Sequence, residues 1–232
     1  MPRTTLVLLP GLLNTGRVFE HQIEALSDIA DCIVPELWHH DTMAAMAEAA
    51  LELAPERFAV AGFSMGGYVA FEIMRRARQK VDRLALIDTQ ANPDSPETSS
   101  RRRGLIEQTR IGRFHGVQRS LLPQLVHGRN VDKAAIAQPI FDMAREIGAE
   151  GFVREQTAII GRPDSRPLLA DIDVPTVVIA GRQDQVAPLP RSQEMAADIA
   201  TSRLVVLEEC GHMSPLEKPA EVAAALRRWL TQ

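Results

Sequence analysis

Ser64 lies in Gly62-Phe63-Ser64-Met65-Gly66, between the apolar run Phe58-Ala59-Val60-Ala61 and a stretch with helical spacing. A Gly-x-Ser-x-Gly segment that passes from strand to helix makes a sharp turn, the nucleophile elbow, and lifts the serine Oγ clear of the sheet. Side chains at Gly62 and Gly66 would collide as the chain folds back. At the start of the following helix, free N–H groups and the helix dipole favour developing negative charge. Three fixed positions of this kind match by chance in roughly one chain in twelve, so the motif carries weight only with its partners. Without them it is a Gly-Ser turn before a packed helix.

A serine hydroxyl needs a base in contact with it. Six histidines are available: His21, His39, His40, His115, His127 and His212. His212 follows the last strand-like run in Glu209-Cys210-Gly211-His212-Met213, where a loop can hang an imidazole over the carboxyl edge of a parallel sheet. His21 sits among helix residues and reads as surface. His39 and His40 follow Trp38 after the second strand, placed to line a pocket mouth. The imidazole in turn needs a carboxylate to hold its tautomer. Asp184, in Gly181-Arg182-Gln183-Asp184, follows the strand before last, although Gly-x-x-Asp is also ordinary turn chemistry. Asp88 ends a strand as well and is the rival acid. The order Ser64, Asp184, His212 matches one of the known orders of a Ser-His-acid triad.

Acyl transfer further needs donors for an oxyanion. The N–H of Met65, next to the nucleophile, is one candidate. The N–H of Leu12, in the Pro10-Gly11-Leu12-Leu13 loop after the first strand, is the other. The expected chemistry is attack of Ser64 on a carboxylic ester, lactone or thioester, with water releasing the acid. Carbon–carbon bond hydrolysis and cofactor-free perhydrolysis use the same groups. A pocket that binds without catalysis is the alternative of another class.

These motifs resemble the α/β-hydrolase superfamily, in the lidded branch that includes carrier-protein methyl esterases, enol-lactonases and carbon–carbon bond hydrolases. The likeness runs through nearly all of the chain. It is most specific at Gly62-Phe63-Ser64-Met65-Gly66-Gly67, at the Gly-Arg-Gln-Asp turn, and at Gly211-His212-Met213-Ser214-Pro215-Leu216-Glu217-Lys218-Pro219. The resemblance implies triad roles for Ser64, Asp184 and His212 and oxyanion roles for Leu12 and Met65. It implies no cofactor and no metal. Two departures stand out. Pro10-Gly11 replaces the His-Gly common in the family, which removes a side chain that usually braces the oxyanion loop. The antiparallel strands that normally precede the first parallel one are missing, so about six strands are expected.

The elements that must position these residues follow from periodicity. Thr4–Leu9, Cys32–Val34, Phe58–Ala61 and Leu84–Ile87 are short apolar runs suited to strands buried on both faces. Helical spacing of apolar residues separates them, with Asp41 or Thr42 as N-cap of the second helix. Pro175–Gly181 and Leu204–Leu207 resume the pattern, each followed by a helix, the first opened by Pro190 and the second carrying Pro219 in its first turn. The alternation predicts an α/β fold with a mostly parallel sheet flanked by helices. Residues 1–91 and 167–232 would form that core. Residues 92–166 show no buried strand and read as an inserted helical lid. Their linker-like opening, Asn92–Pro96, is followed by three helical patches around Leu122, Ile140 and Ile159.

The chain of 232 residues is long enough for one such domain with a substantial core. Its net charge of −4 argues against general nucleic-acid binding. Cys32 and Cys210 supply neither a disulfide framework nor metal-ligand spacing, and read as buried reduced thiols of a cytoplasmic protein. No apolar run reaches the length of a membrane span, and the N-terminus has no secretory h-region. Residues 90–170 carry twelve Lys or Arg against nine Asp or Glu, with Arg101-Arg102-Arg103 the densest run. A solvated helix face is the ordinary reason for such a run. An anionic acyl group or an acidic carrier protein would also suit it.

Overall fold

The computed structural model describes residues 3–117 and 119–232. Met1 and Pro2, at the head of the polar N-terminal stretch, and Gln118 of the insertion lie outside them. Six strands make one wholly parallel sheet: β1 (Thr4–Leu9), β2 (Ala30–Ile33), β3 (Phe58–Phe63), β4 (Val81–Ile87), β5 (Thr176–Gly181) and β6 (Ser202–Leu207). Their order is β2-β1-β3-β4-β5-β6, so β3 and its C-terminal turn sit near the middle. Every residue of β3 and β5 is buried, which is why these segments read as unbroken apolar runs.

Side chains alternate across the sheet and build two cores. Leu6 and Leu8 of β1 face one way and pack with Phe19, Leu26, Leu226 and Trp229. Val7 and Leu9 face the other way and pack with Met46, Val69, Ile73 and Met195. The first layer is made by α1 (Glu20–Leu26) and the C-terminal helix, Pro219–Thr231. The second is made by α2 (Met43–Leu53), α3 (Met65–Ala77) and the helix Leu189–Asp198. Each fully buried Leu, Ile, Val or Phe contributes about 1.5–3 kcal/mol, so the sheet is held mainly by these two layers. Thr42 caps α2, its Oγ1 accepting from the Ala45 N–H at 3.1 Å. Among the described residues no helix is long and apolar enough to cross a membrane. Cys32 is half-buried and Cys210 buried, and both are free thiols.

Residues 92–166, between β4 and β5, are mostly helical, and four details add to or differ from expectation. A helix, α4 (Pro96–Arg110), follows the linker-like Asn92–Ser95, in a stretch where the apolar spacing marks no helical patch. Ser95 caps it by accepting from the Thr98 N–H. The helix was missed because it buries only Ile106 and Thr109, and so has almost no apolar stripe. The patch around Leu122 is only a single turn, α5 (Leu122–Leu125). The last two patches abut in α6 (Ala134–Ile160), broken at Gly148, whose φ of 68° no helix residue adopts. Pro139 lies within α6 rather than at its start. Ile136, Ile140 and Met143 of α6 join the first core, and Ala158 and Ile159 join the second. The insertion is thereby packed onto both layers.

Candidate active site

Ser64 sits between β3 and α3 with φ 52° and ψ −114°, a backbone state that a non-glycine residue holds only under strain. Its surroundings enforce it. The Ser64 N–H donates to Ile87 O of β4 at 2.9 Å, and Ser64 O accepts from Gly67 N and from Thr89 Oγ1. A Cβ at Gly62 would overlap the Gly66 carbonyl, and one at Gly66 would overlap that of Leu9. The turn therefore closes only with glycine at both positions.

Three side chains remote in sequence meet here. The Ser64 hydroxyl donates to His212 Nε2 at 2.9 Å, and His212 Nδ1–H donates to Asp184 Oδ2 at 2.8 Å. Asp184 Oδ1 accepts from the N–H groups of Val186 and Ala187 at 2.7 and 2.9 Å, so the carboxylate cannot swing away. Burial opposes charging of His212, but the charge and hydrogen bond of Asp184 outweigh it and raise the imidazole above its ordinary pKa. Asp88, the rival acid, is fully buried alongside. Its Oδ1 accepts from the Gly181 N–H at 2.8 Å and not from the imidazole. Burial, then the nearby charge of Asp184, pushes Asp88 up to about 8. Asp88 is thus mostly protonated at pH 7.

The His212 loop is braced from the insertion. The N–H groups of His212 and Met213 donate to Leu125 O at 2.9 and 3.0 Å. Glu217, in the short helix Ser214–Glu217, accepts from Gly211 N at 2.9 Å on one oxygen. Its other oxygen takes His127 N and Asn130 Nδ2 at 2.7 and 2.8 Å. This explains the spacing of Glu217 in the Gly-His segment: it reaches back six positions to fix the turn that aims the imidazole.

Leu12 and Met65 line the same cavity as Ser64 and His212. Among the described residues neither N–H has an acceptor, so both are free to meet a ligand oxygen. The loop that holds Leu12 has a brace that the sequence did not reveal. Leu13, at φ 57°, donates its N–H to Glu155 Oε2 of α6 at 2.9 Å. Burial pushes the Glu155 carboxyl up to about 8, against the opposing pull of the Leu13 N–H and Arg154. A faint signal existed: Glu155 falls on the apolar face of its helix, between Phe152 and Ile159. The cavity encloses about 270 Å³ and is mostly apolar, with Leu105, Leu121, Phe152 and Ile159 contributed by the insertion. His39 and His40, placed at the pocket mouth by sequence, are not among its lining residues, and His39 instead pairs with Glu36. His21 is exposed, as expected. No cluster of His, Cys, Asp or Glu suited to a metal ion occurs among the described residues.

A wholly parallel sheet wrapped by helices, with a serine on the strand–helix turn after its third strand and a histidine loop after its last, defines the α/β-hydrolase class. The chain belongs to the α/β hydrolase family, whose model matches residues 6–225, and it is a hydrolase of that type. It is similar in structure to a thermophilic esterase from Thermogutta terrifontis, solved with malate bound. That pair is 30% identical with a TM-score of 0.89, covering 98% of this chain and 89% of the other. The enol-lactonase from Burkholderia xenovorans LB400 shares the fold at 24% identity and a TM-score of 0.87, covering 100% of this chain and 93% of the other. In sequence, a protein from Rhizobium rhizogenes provisionally named as the carbamate hydrolase RutD is 27% identical over 203 residues. That match covers 79% of this chain and 76% of the relative.

Proposed function

We propose that the protein is a serine hydrolase that cleaves a carboxylic ester, or a lactone or thioester, of a small molecule through an acyl-enzyme. The observation that carries this is the unbroken relay Asp184–His212–Ser64, with contacts of 2.8 and 2.9 Å, opening into a mostly apolar cavity. In this scheme Ser64 attacks the carbonyl carbon as His212 takes its proton. Asp184 holds the imidazole in the required tautomer and offsets the imidazolium charge. The N–H groups of Leu12 and Met65 receive the oxyanion, in a cavity of low polarity that strengthens the interaction. His212 then returns the proton to the leaving alcohol, and water, deprotonated by the same imidazole, releases the acid. The helical insertion acts as a lid that keeps bulk water from the acyl-enzyme. The 30% identity to the Thermogutta terrifontis esterase supports an ester as the bond cleaved.

The test is a fluorophosphonate probe together with a panel of p-nitrophenyl esters of increasing chain length. The wild-type protein should be labelled at Ser64 and should release nitrophenolate. Ser64→Ala should do neither, while keeping its circular dichroism spectrum. Labelling of Ser64→Ala at the wild-type rate would refute the assignment.

A further inference from the structure

The helical repeat of α4 separates the run Arg101-Arg102-Arg103. Arg101 and Arg103 are exposed, whereas Arg102 turns inward and lines the cavity above Ser64, next to Tyr68, Leu105 and Gln156. Its Nε donates to Asp94 Oδ2 at 2.6 Å and its Nη1 to Gln156 Oε1 at 2.8 Å. Asp94 does not belong to Arg102 alone. Its other oxygen accepts from Arg162 Nη2 at 2.7 Å, and the side chains of Asp94 and Arg162 are each only 3% exposed. Burial pushes the Asp94 carboxyl up, but the two guanidiniums outweigh that and keep it ionised. One carboxylate therefore serves two arginines, and the cluster carries one net positive charge.

Only the outer arginine shows that charge to the cavity. Arg162 is tied to the carbonyls of Asn92 and Ile159 and lies over the Tyr68 ring, 4.2 Å from its centroid. Arg102 Nη2 has no acceptor among the described residues. Among the described residues no Asp, Glu or Lys lines the cavity. An uncompensated charge at an apolar, enclosed wall calls for a partner of opposite sign, because little solvent screens it there. A planar guanidinium with free N–H groups matches a carboxylate. A single net charge balances a monoanion; a phosphate dianion would bring one charge too many into an apolar space.

We propose that Arg102 is a specificity-determining residue that binds a carboxylate of the substrate. The substrate class is then an ester or lactone bearing one further ionised carboxylate, such as the half-ester of a short dicarboxylic acid. This rests on the serine-hydrolase assignment only for the ester; the anion site stands on its own geometry.

Binding to the Ser64→Ala protein tests the site without turnover. The probe is glutaramate, a carboxylate with an amide in the place of the ester, measured by calorimetry against neutral pentanamide. Glutaramate should bind at least tenfold more tightly than pentanamide. Adding Arg102→Met or Arg102→Gln should remove that advantage, and Arg102→Lys should keep part of it. Asp94 keeps Arg162 as its partner in these variants, so the buried charges stay balanced. In protein retaining Ser64, the ratio of kcat/KM for p-nitrophenyl hemiglutarate to that for p-nitrophenyl pentanoate should fall at least tenfold with Arg102→Met, mainly through KM. Equal binding of glutaramate with and without Arg102, or no preference for it over pentanamide, overturns the proposal. Arg102-dependent binding of glutaramate in a protein that turns over no ester would support the anion site and count against the serine-hydrolase assignment.

Discussion

Glu155, on the longest helix of the insertion, accepts the Leu13 N–H at 2.9 Å across 142 positions of sequence. Through this bond the insertion grips the loop that carries Leu12. Leu13 is held at φ 57°, a conformation that costs about 1–2 kcal/mol for a side-chain-bearing residue. Without an acceptor for its N–H the loop has reason to relax, and the Leu12 N–H would move with it.

Replacing Glu155 with Ala should therefore lower kcat by about tenfold or more, since misplacing an oxyanion donor costs part of its 10²–10³-fold contribution. KM should change less. Glu155→Gln keeps an oxygen acceptor and should recover most of kcat. Steady-state kinetics on one ester series would show this; a Gln variant as impaired as the Ala variant would contradict the acceptor role.

Glu217 behaves differently because both of its oxygens are occupied by N–H donors. An amide offers only one acceptor oxygen and turns an N–H₂ group toward a donor. Glu217→Ala and Glu217→Gln should both lose about 2 kcal/mol or more in urea unfolding, the cost of stranded buried donors. Both should also reduce kcat, as the Gly211 turn that aims His212 loosens. Retention of full stability in the Gln variant would show that the donors find other partners.

The raised pKa of His212 sets the acid limb of the pH–rate profile. The imidazole must be neutral to accept the Ser64 proton, so kcat/KM should fall as pH drops through a midpoint above 6.5, the ordinary histidine value. Asp184→Asn removes the raising charge. The limb should then shift to lower pH, and kcat should drop by about four orders of magnitude as the tautomer is lost. An unmoved limb would mean that another group sets it.

Asp88 gives a stability signature with a definite sign. Its carboxyl titrates at about 8 in the folded protein against 3.8 for the free side chain, so between these values the folded state holds a proton that the unfolded state has lost. Stability then declines as pH rises from about 4 to 8, by at most about 1.4 kcal/mol per pH unit for one group. Asp88→Asn should make that decline shallower in urea melts at pH 5, 6, 7 and 8, leaving the share of Glu155, whose carboxyl is raised in the same way. It should also keep activity at pH 7, where Asp88 is already mostly protonated. A slope identical to that of the wild type would argue against a neutral buried Asp88.

Sequence alone determined the sheet, the elbow and the candidate residues along its edge. Strands buried on both faces read as apolar runs, and the glycines around Ser64 follow from steric overlap within a few residues. The acids and the histidine that end strands are marked by local turn chemistry. All of this is short-range, so it survives in a linear text. Tertiary structure decided what depends on partners far along the chain. Asp184 rather than Asp88 meets His212: the turn N–H groups of Val186 and Ala187 hold its Oδ1 and leave Oδ2 to the imidazole. Helix α4 forms with almost no apolar stripe, packed on α6 and capped by Ser95. Only its rotation distinguishes Arg102 from its two exposed neighbours. The brace for the loop that carries Leu12 comes from Glu155, whose contact exists only once a remote helix is laid against Leu13.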